Sequence, residues 1–181
     1  MQKFLDLITR SVKEVYDQER VDCFIRFIEE AERVFVVGIG RSGLVAKAFA
    51  MRLMHLGYRA FVIGETTTPR IENGDLLVAI SGSGETGYVV AIAKKAKEIG
   101  AKVVAITSAE NSTLSKLSDF SVVLKNRLDK ETKRIAPMGT LFEVTALIFL
   151  DGTVAEIIEK KNLREEDLAK RHAIENEVKV C

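Results

Sequence analysis

A cluster of hydroxyl groups follows an apolar run near the middle of the chain. The segment SGSGET at residues 81–86, the serine loop below, lies between that run and a helical pattern. The first turn of a helix has unpaired N–H groups and the positive end of the helix dipole, and glycines such as Gly82 let an anion approach the backbone. Ser81, Ser83 and Thr86 add hydroxyls to this shell. We predict that the loop binds a phosphate group; the alternative is ordinary helix capping.

A second glycine-rich segment, GIGRSG at residues 38–43, also follows an apolar run and precedes a helical pattern. This glycine loop matches GxGxxG, and Glu65 lies 22 residues beyond Gly43, where a dinucleotide site has a ribose-binding acid. An NAD(P)-binding protein is therefore one alternative. However, 181 residues leave little for a substrate domain, and Arg41 and Ser42 suit an anion. We predict that Arg41 and Ser42 bind the substrate from this loop.

A carboxylate stands at the start of the longest helical pattern. The segment PMGT at residues 137–140 precedes that helix, and Glu143 lies about one turn into it. A helix that begins at the carboxyl end of a strand aims this side chain at the same mouth as the two loops. We predict that Glu143 is the general base of a proton-transfer reaction. The alternative is that it only interacts with the helix dipole.

The two histidines of the chain are candidate proton shuttles. His55 stands in the last turn of a helical pattern that ends before Gly57, where an imidazolium also satisfies helix carbonyls. His172 stands four residues after Leu168, on the inner side of the last predicted helix, from which it can reach a neighbouring subunit. We assign the shuttle to one of the two and favour His172. The alternative for each is a purely structural histidine.

These residues need a scaffold in which strands and helices alternate. Apolar runs of strand length predict strands at 34–37, 60–63, 76–80, 103–106 and 120–124. Helical spacing predicts helices at about 43–56, 86–99, 112–117 and 138–160, after an N-terminal helical segment at 1–32. Strand–helix–strand connections of this length favour parallel neighbours and right-handed crossovers. The sequence therefore predicts an α/β fold with its ligand site beyond the carboxyl ends of the strands.

Three stretches depart from this alternation. Residues 64–74, GETTTPRIENG, are too few for a crossover helix, so the strands on either side are predicted to flank a turn. The basic stretch at 125–134, which includes Arg127, also contains acidic residues and is predicted to be a solvated loop. The tail at 160–181 has Asn162 and Glu165 at capping-box spacing, which predicts one last helix.

Length, charge and cysteine content exclude several classes of protein. The 181 residues suit a single domain spanning 1–181, and 47% apolar residues supply one sizeable core. The 27 basic and 26 acidic residues leave a net charge of +1, so we predict no nucleic-acid and no membrane partner. Cys23 and Cys181 show neither CxxC nor metal-ligand spacing, which indicates reduced thiols, a cytoplasmic protein and no metal site. We expect no signal peptide and no transmembrane segment.

Both loops resemble those of the sugar isomerase (SIS) domain family. Within that family, four further segments are similar to the 6-phospho-3-hexuloisomerases: RLMHLG at 52–57, GETTTP at 64–69, PMGTLFE at 137–143 and KRHA at 170–173. The resemblance covers nearly the whole chain. The tail departs from the usual pattern of these isomerases at residues 174–176.

The resemblance implies a fold, an assembly and an activity. The fold is a three-layer αβα sandwich with a five-stranded parallel sheet, of the flavodoxin-like or Rossmann-like type. The assembly is a homotetramer, and the reaction interconverts 3-hexulose 6-phosphate and fructose 6-phosphate without a metal or an organic cofactor. The alternatives are a non-catalytic phosphosugar-binding protein of the same family and an NAD(P)-binding protein.

Overall fold

The central layer of the protein is a parallel β-sheet. The computed structural model describes residues 1–125 and 129–172. The strands are β1 (Val34–Val37), β2 (Ala60–Val62), β3 (Leu76–Ile80), β4 (Lys102–Thr107) and β5 (Phe120–Val123). Their order in the sheet is β2-β1-β3-β4-β5, and every adjacent pair is parallel. All five predicted strands are confirmed, with ends that differ by at most one residue.

Helices cover both faces of this sheet. They are α1 (Gln2–Val15), α2 (Gln18–Glu30), α3 (Arg41–His55), α4 (Gly87–Ile99), α5 (Thr113–Leu117), α6 (Lys130–Ile135), α7 (Thr140–Lys160) and α8 (Glu165–Ala169). The buried side chains of α2, α3 and α7 pack on one face, and those of α4 and α5 pack on the other. This arrangement confirms the predicted three-layer αβα sandwich.

The buried strands supply side chains to both helical layers in turn. In β1, Val34 and Val36 face α2, α3 and α7, whereas Phe35 and Val37 face α4 and α5. All four side chains are at most 1% exposed, which explains why β1 is a continuous apolar run and not an alternating one. Full burial of each such side chain contributes about 1.5–3 kcal/mol to folding, so the sheet anchors the loops at its ends.

The predicted turn between the second and third strands is wrong. β1 lies between β2 and β3 in the sheet, so residues 63–75 return the chain across the sheet from the carboxyl end of β2 to the amino end of β3. Thirteen extended residues reach about 43 Å, far more than this return requires, and no helix is needed. Ile71 of this connection is buried in the core on the α4 side of the sheet, together with Phe35 and Leu77.

Two further predictions are corrected near the end of the chain. The basic stretch predicted as a loop contains α6, whose N-cap residue Asp129 accepts a hydrogen bond from the Thr132 N–H at 2.8 Å. The N-cap residue of the last helix is Arg164 instead of the predicted Asn162, so the helix begins at Glu165, two residues later than predicted. Asn162 has a positive φ of 50° and therefore does not adopt the extended conformation of an N-cap residue. Arg127, Cys181 and the altered tail segment at 174–176 lie outside the described residues. In residues 1–125 and 129–172, no helix has the length and apolar character of a membrane span.

Candidate functional site

A crevice opens where the strand order reverses. From β1 the chain continues to β2 on one side, whereas β3 continues to β4 on the other side. The loops after β1 and β3 therefore leave the carboxyl ends of two neighbouring strands in opposite directions. In open parallel sheets, the crevice between two such loops is where ligands bind. These are the glycine loop at 38–43 and the serine loop at 81–86. The structure thus places the two predicted loops next to each other.

The glycine loop is a tight strand-to-helix turn. A Cβ atom on Gly38 would lie 2.7 Å from the Ser42 carbonyl, and one on Gly43 would lie 2.8 Å from the Gly38 oxygen. The strand and the helix therefore approach each other only because both residues are glycines. This steric reason accounts for the GxGxxG match, and it places Arg41 and Ser42 in the first turn of α3 at the mouth of the crevice.

The acid expected for a dinucleotide site has another partner. Glu65 forms an ion pair with Lys47 of α3, with 2.6 Å between Oε1 and Nζ, and both side chains are about half exposed. The pair joins the connection after β2 to the outer side of α3. In this structure the Glu65 carboxylate is therefore paired with Lys47 at the protein surface.

Hydroxyl groups shape the serine loop from within. Ser81 is 2% exposed, and its Oγ lies 2.9 Å from Thr86 Oγ1 and accepts a hydrogen bond from the Gly84 N–H at 3.2 Å. Thr86 is the N-cap residue of α4, so the first N–H groups of that helix face the loop. Ser83 is exposed, and its Oγ accepts from the Glu85 N–H at 3.2 Å. The loop therefore offers Ser83 and the start of α4 to a ligand, while Ser81 holds its shape.

The end of β4 fixes the orientation of the Gly82 peptide group. The Gly82 carbonyl accepts hydrogen bonds from the Ser108 N–H at 3.1 Å and from the Ser108 hydroxyl at 2.7 Å, and the Thr107 hydroxyl lies 3.3 Å away. In a planar trans peptide the next N–H points opposite to the carbonyl. The Ser83 N–H is therefore directed away from β4. A backbone donor held in this way is pre-organised for an anion.

Glu85 fastens the serine loop to α5. Its Oε1 accepts a hydrogen bond from the Thr113 N–H at 2.7 Å, and this bond lowers the pKa of Glu85 below its ordinary value. Gly84 lies beneath this contact with a positive φ of 66°, and a Cβ atom there would lie 2.1 Å from the Ser112 hydroxyl. The loop therefore has a conformation that only glycine permits at this position.

The first turn of α7 brings the predicted base to the crevice. Glu143 is 12% exposed, and Arg41 Nε lies 2.9 Å from its Oε2. A second guanidinium nitrogen, Nη1, donates to the Thr140 hydroxyl at 2.9 Å. The helix is also close to the serine loop, because a Cβ atom on Gly82 would lie 3.0 Å from the Phe142 ring. Arg41, Glu143 and the serine loop therefore lie close together at the same crevice.

The chain enters α7 through two left-handed residues. Met138 has a φ of 53° and Gly139 has a φ of 85°. The left-handed conformation costs Met138 about 1–2 kcal/mol, whereas glycine adopts it readily. This turn lets the Glu143 N–H donate to the Gly139 carbonyl at 3.0 Å, so that Glu143 lies in the first helical turn. Backbone strain of this kind clusters at functional sites.

A cleft of about 210 Å³ continues from the ion pair between α3 and α7. Arg41 and Glu143 stand at its polar end, and its walls are apolar: Leu44, Val45, Ala48, Val144 and Leu147. The apolar walls limit the access of water to the carboxylate, which strengthens the electrostatic interaction between Arg41 and Glu143.

The family of the protein follows from a comparison of this site and fold with known proteins. Residues 27–148 match the SIS domain, a segment that contains both loops and Glu143. The chain belongs to the SIS domain family. The predicted family is therefore confirmed.

Relatives of this SIS domain protein align along most of their length. It is 42% identical to the 3-hexulose-6-phosphate isomerase of Methanocaldococcus jannaschii, over 93% of this chain and 94% of that protein. The Bacillus subtilis 3-hexulose-6-phosphate isomerase is 40% identical, over 86% of each chain. The crystal structure of a Methanococcus jannaschii protein, from which the same isomerase function was inferred, has a TM-score of 0.87 at 40% identity, over 96% of this chain and 98% of that chain.

The two histidines of the SIS domain protein lie together but away from Glu143. His55 is the last residue of α3 and Arg41 is the first, so about 21 Å of helix separates them at 1.5 Å per residue. The His55 ring is buried and stacks on His172, with 5.0 Å between ring centroids. Burial lowers the pKa of His55, and the nearby His172 and Arg52 lower it further. Within one chain, neither histidine reaches the crevice.

Three contacts that shape this SIS site were not predicted from the sequence. They are those of Ser108, Thr140 and Glu85. Ser108 had a detectable signal, since it is polar and directly follows the apolar run of β4.

Among the described residues, no group of His, Cys, Asp and Glu side chains is arranged to hold a metal ion, and Cys23 is a free thiol. The site is thus built from hydroxyls, backbone N–H groups and one Arg–Glu pair.

Proposed function

We propose that this SIS domain protein is a 6-phospho-3-hexuloisomerase that interconverts 3-hexulose 6-phosphate and fructose 6-phosphate. The observation that carries the proposal is the Arg41–Glu143 pair, whose 2.9 Å contact lies beside the serine loop in the crevice. A carboxylate next to an anion-binding loop is what proton transfer on a phosphosugar requires. The 42% and 40% identical relatives that carry this enzyme name support the proposal.

The serine loop anchors the phosphate group. The Ser83 hydroxyl and N–H, the first N–H groups of α4 and the Thr86 hydroxyl bind its oxygens, and Ser42 contributes from the glycine loop. Ser81 and Gly82 maintain the loop, as their hydrogen bonds indicate. The phosphate is remote from the reacting carbons, so its binding energy positions them and contributes to the rate.

Glu143 transfers the proton between C2 and C3. In the direction of fructose 6-phosphate it removes the proton from C2 of the 3-ketose, and the electron pair of the C–H bond forms a 2,3-enediolate. A proton then returns at C3 while O2 becomes the carbonyl oxygen and its proton passes to O3. Arg41 stabilises the negative oxygen of the enediolate electrostatically. No external oxidant is required, because the carbonyl only moves within the substrate.

A histidine from a second subunit opens the ring of fructose 6-phosphate. The 3-ketose stays open because its O6 carries the phosphate, whereas fructose 6-phosphate must be opened by a proton shuttle. His55 lies about 21 Å from Arg41 along α3, and His172 stacks on His55. We therefore assign this shuttle to the neighbouring subunit of a homotetramer, and to His172 rather than the buried His55. Exposed apolar side chains on α3, such as Leu44 and Met51, support such an association.

The test is a product assay. Purified protein is incubated with fructose 6-phosphate and a lyase that splits 3-hexulose 6-phosphate into formaldehyde and ribulose 5-phosphate, and formaldehyde is measured. We expect formaldehyde to appear only when both proteins are present. Phosphosugar binding without formaldehyde would instead identify a non-catalytic phosphosugar-binding protein, and stoichiometric NADH binding in a fluorescence titration would identify a dinucleotide site.

A further inference from the structure

The Thr140 hydroxyl both donates and accepts a hydrogen bond at the site. Its hydroxyl donates to the Pro137 carbonyl at 2.6 Å and accepts from Arg41 Nη1 at 2.9 Å. A hydroxyl has a single proton, so the bond to Pro137 fixes its direction and turns a lone pair toward the guanidinium. Thr140 therefore presents a defined acceptor, and it does so from the strained turn at Met138 and Gly139.

The Arg41 side chain needs this second contact to hold one orientation. It is 54% exposed, and an arginine side chain loses about 2 kcal/mol of rotamer entropy when it is fixed. Contact with the Glu143 carboxylate alone leaves the planar guanidinium able to rotate about the Nε–O axis. Thr140 and Glu143 are three residues apart on one face of α7, so together they fix two of its nitrogens.

We propose that Thr140 is a positioning residue of the isomerase, which orients the Arg41 guanidinium toward both Glu143 and the enediolate oxygen. This inference rests on the proposed function. The negative charge on that oxygen develops during the reaction, so a misplaced guanidinium weakens the transition state more than the bound substrate. Loss of the Thr140 hydroxyl therefore lowers kcat and leaves KM almost unchanged.

The first experiment compares three variants in the product assay. Thr140→Val keeps the side-chain shape and removes the hydroxyl, and we expect kcat to fall about 10- to 100-fold with KM within about threefold. Thr140→Ser restores the hydroxyl and should restore most of kcat. Thr153→Val, which removes a buried hydroxyl bond to the Phe149 carbonyl in the same helix, is the matched control and should leave kcat unchanged. Thermal unfolding reports whether each variant folds, and Thr140→Ala replaces Thr140→Val if the valine does not fit.

The second experiment tests whether Thr140 acts through Arg41. Arg41→Ala and the double variant Arg41→Ala/Thr140→Val are measured in the same assay. We expect the double variant to be no slower than Arg41→Ala, because no guanidinium remains to be positioned. Additive losses would overturn the proposal, and so would a Thr140→Val enzyme with the wild-type kcat. A wild-type protein without turnover would instead contradict the proposed function itself.

Discussion

Glu143 combines low exposure with a close cationic neighbour. Its side chain is 12% exposed, and Arg41 Nε lies 2.9 Å from Oε2. Replacement Glu143→Gln preserves the size of the side chain but removes its ability to accept a proton. We expect kcat to fall about 10²- to 10⁴-fold, the usual contribution of a general base. The product assay measures this, with Glu159→Gln at the opposite end of α7 as the control.

Binding of phosphosugar should survive in the Glu143→Gln variant. Isothermal titration with fructose 6-phosphate checks this, because in the proposed mechanism the serine loop, and not Glu143, binds the phosphate. A Glu143→Gln enzyme with normal turnover would remove Glu143 from the mechanism.

Ser83 is the exposed hydroxyl of the serine loop. We expect Ser83→Ala to weaken phosphosugar binding by about 1 to 3 kcal/mol, because one charge-assisted hydrogen bond to the phosphate is lost. Titration with fructose 6-phosphate, and with inorganic phosphate as a competitor, gives the change in Kd. Ser11→Ala in α1 is the control. An unchanged Kd in Ser83→Ala would show that this hydroxyl does not contact the phosphate.

The positions of the candidate site residues were easier to predict from the sequence than their contacts. The sequence places Arg41, Glu143 and the serine loop at strand ends, and parallel strands bring those ends together. The internal role of Ser81 is not visible in the sequence, since it depends on an exposure of 2%. The contact of Ser108 with the Gly82 carbonyl joins residues 26 positions apart, so no local sequence pattern predicts it.

Among the elements, the serine loop depends on a single left-handed glycine. Gly84 has a φ of 66°, and a Cβ atom there would lie 2.1 Å from Ser112 Oγ. We expect Gly84→Ala to lower the free energy of unfolding by about 1–3 kcal/mol and to weaken phosphosugar binding, because strain and collision both displace the loop. Urea unfolding and titration with fructose 6-phosphate measure the two effects.

The matched control for that variant is Gly152→Ala in α7. A Cβ atom on Gly152 would meet nothing within 4 Å, so we expect this change to raise the free energy of unfolding by about 0.5–1 kcal/mol through helix propensity. Equal effects of the two substitutions would contradict the steric account of Gly84.

Strand and helix positions were predictable where the pattern was local. The apolar runs of β1 and β3 identified buried strands, and helices α3, α4 and α7 begin within two residues of their predicted starts. The return of residues 63–75 across the sheet was not predictable, because it depends on β1 pairing with both β2 and β3. Strand order is a non-local property, and the length of a loop does not determine it.

For the molecule as a whole, the buried His55, which stacks on the exposed His172, links stability to pH. Burial lowers the folded-state pKa of His55 below 6.5, and His172 and Arg52 contribute to the same direction. Arg171 also faces this corner through its contact with the His55 carbonyl at 3.4 Å. As the pH falls through about 6.5, the unfolded chain binds a proton that the folded chain excludes, so stability decreases.

We expect the free energy of unfolding to fall between pH 7 and pH 5.5 by at most about 1.4 kcal/mol per pH unit for this one group. Urea unfolding across that range measures the slope. In His55→Gln the slope should be smaller, because the residue no longer titrates. A slope that is unchanged in His55→Gln would show that His55 does not cause the pH dependence.

A crystal structure of Glu143→Gln with fructose 6-phosphate shows most directly how the whole molecule holds its substrate. We expect a phosphate within hydrogen-bonding distance of Ser83 and the first turn of α4, with C2 and C3 of the sugar beside residue 143. A phosphate bound elsewhere, with the serine loop empty, would contradict the proposed mode of binding.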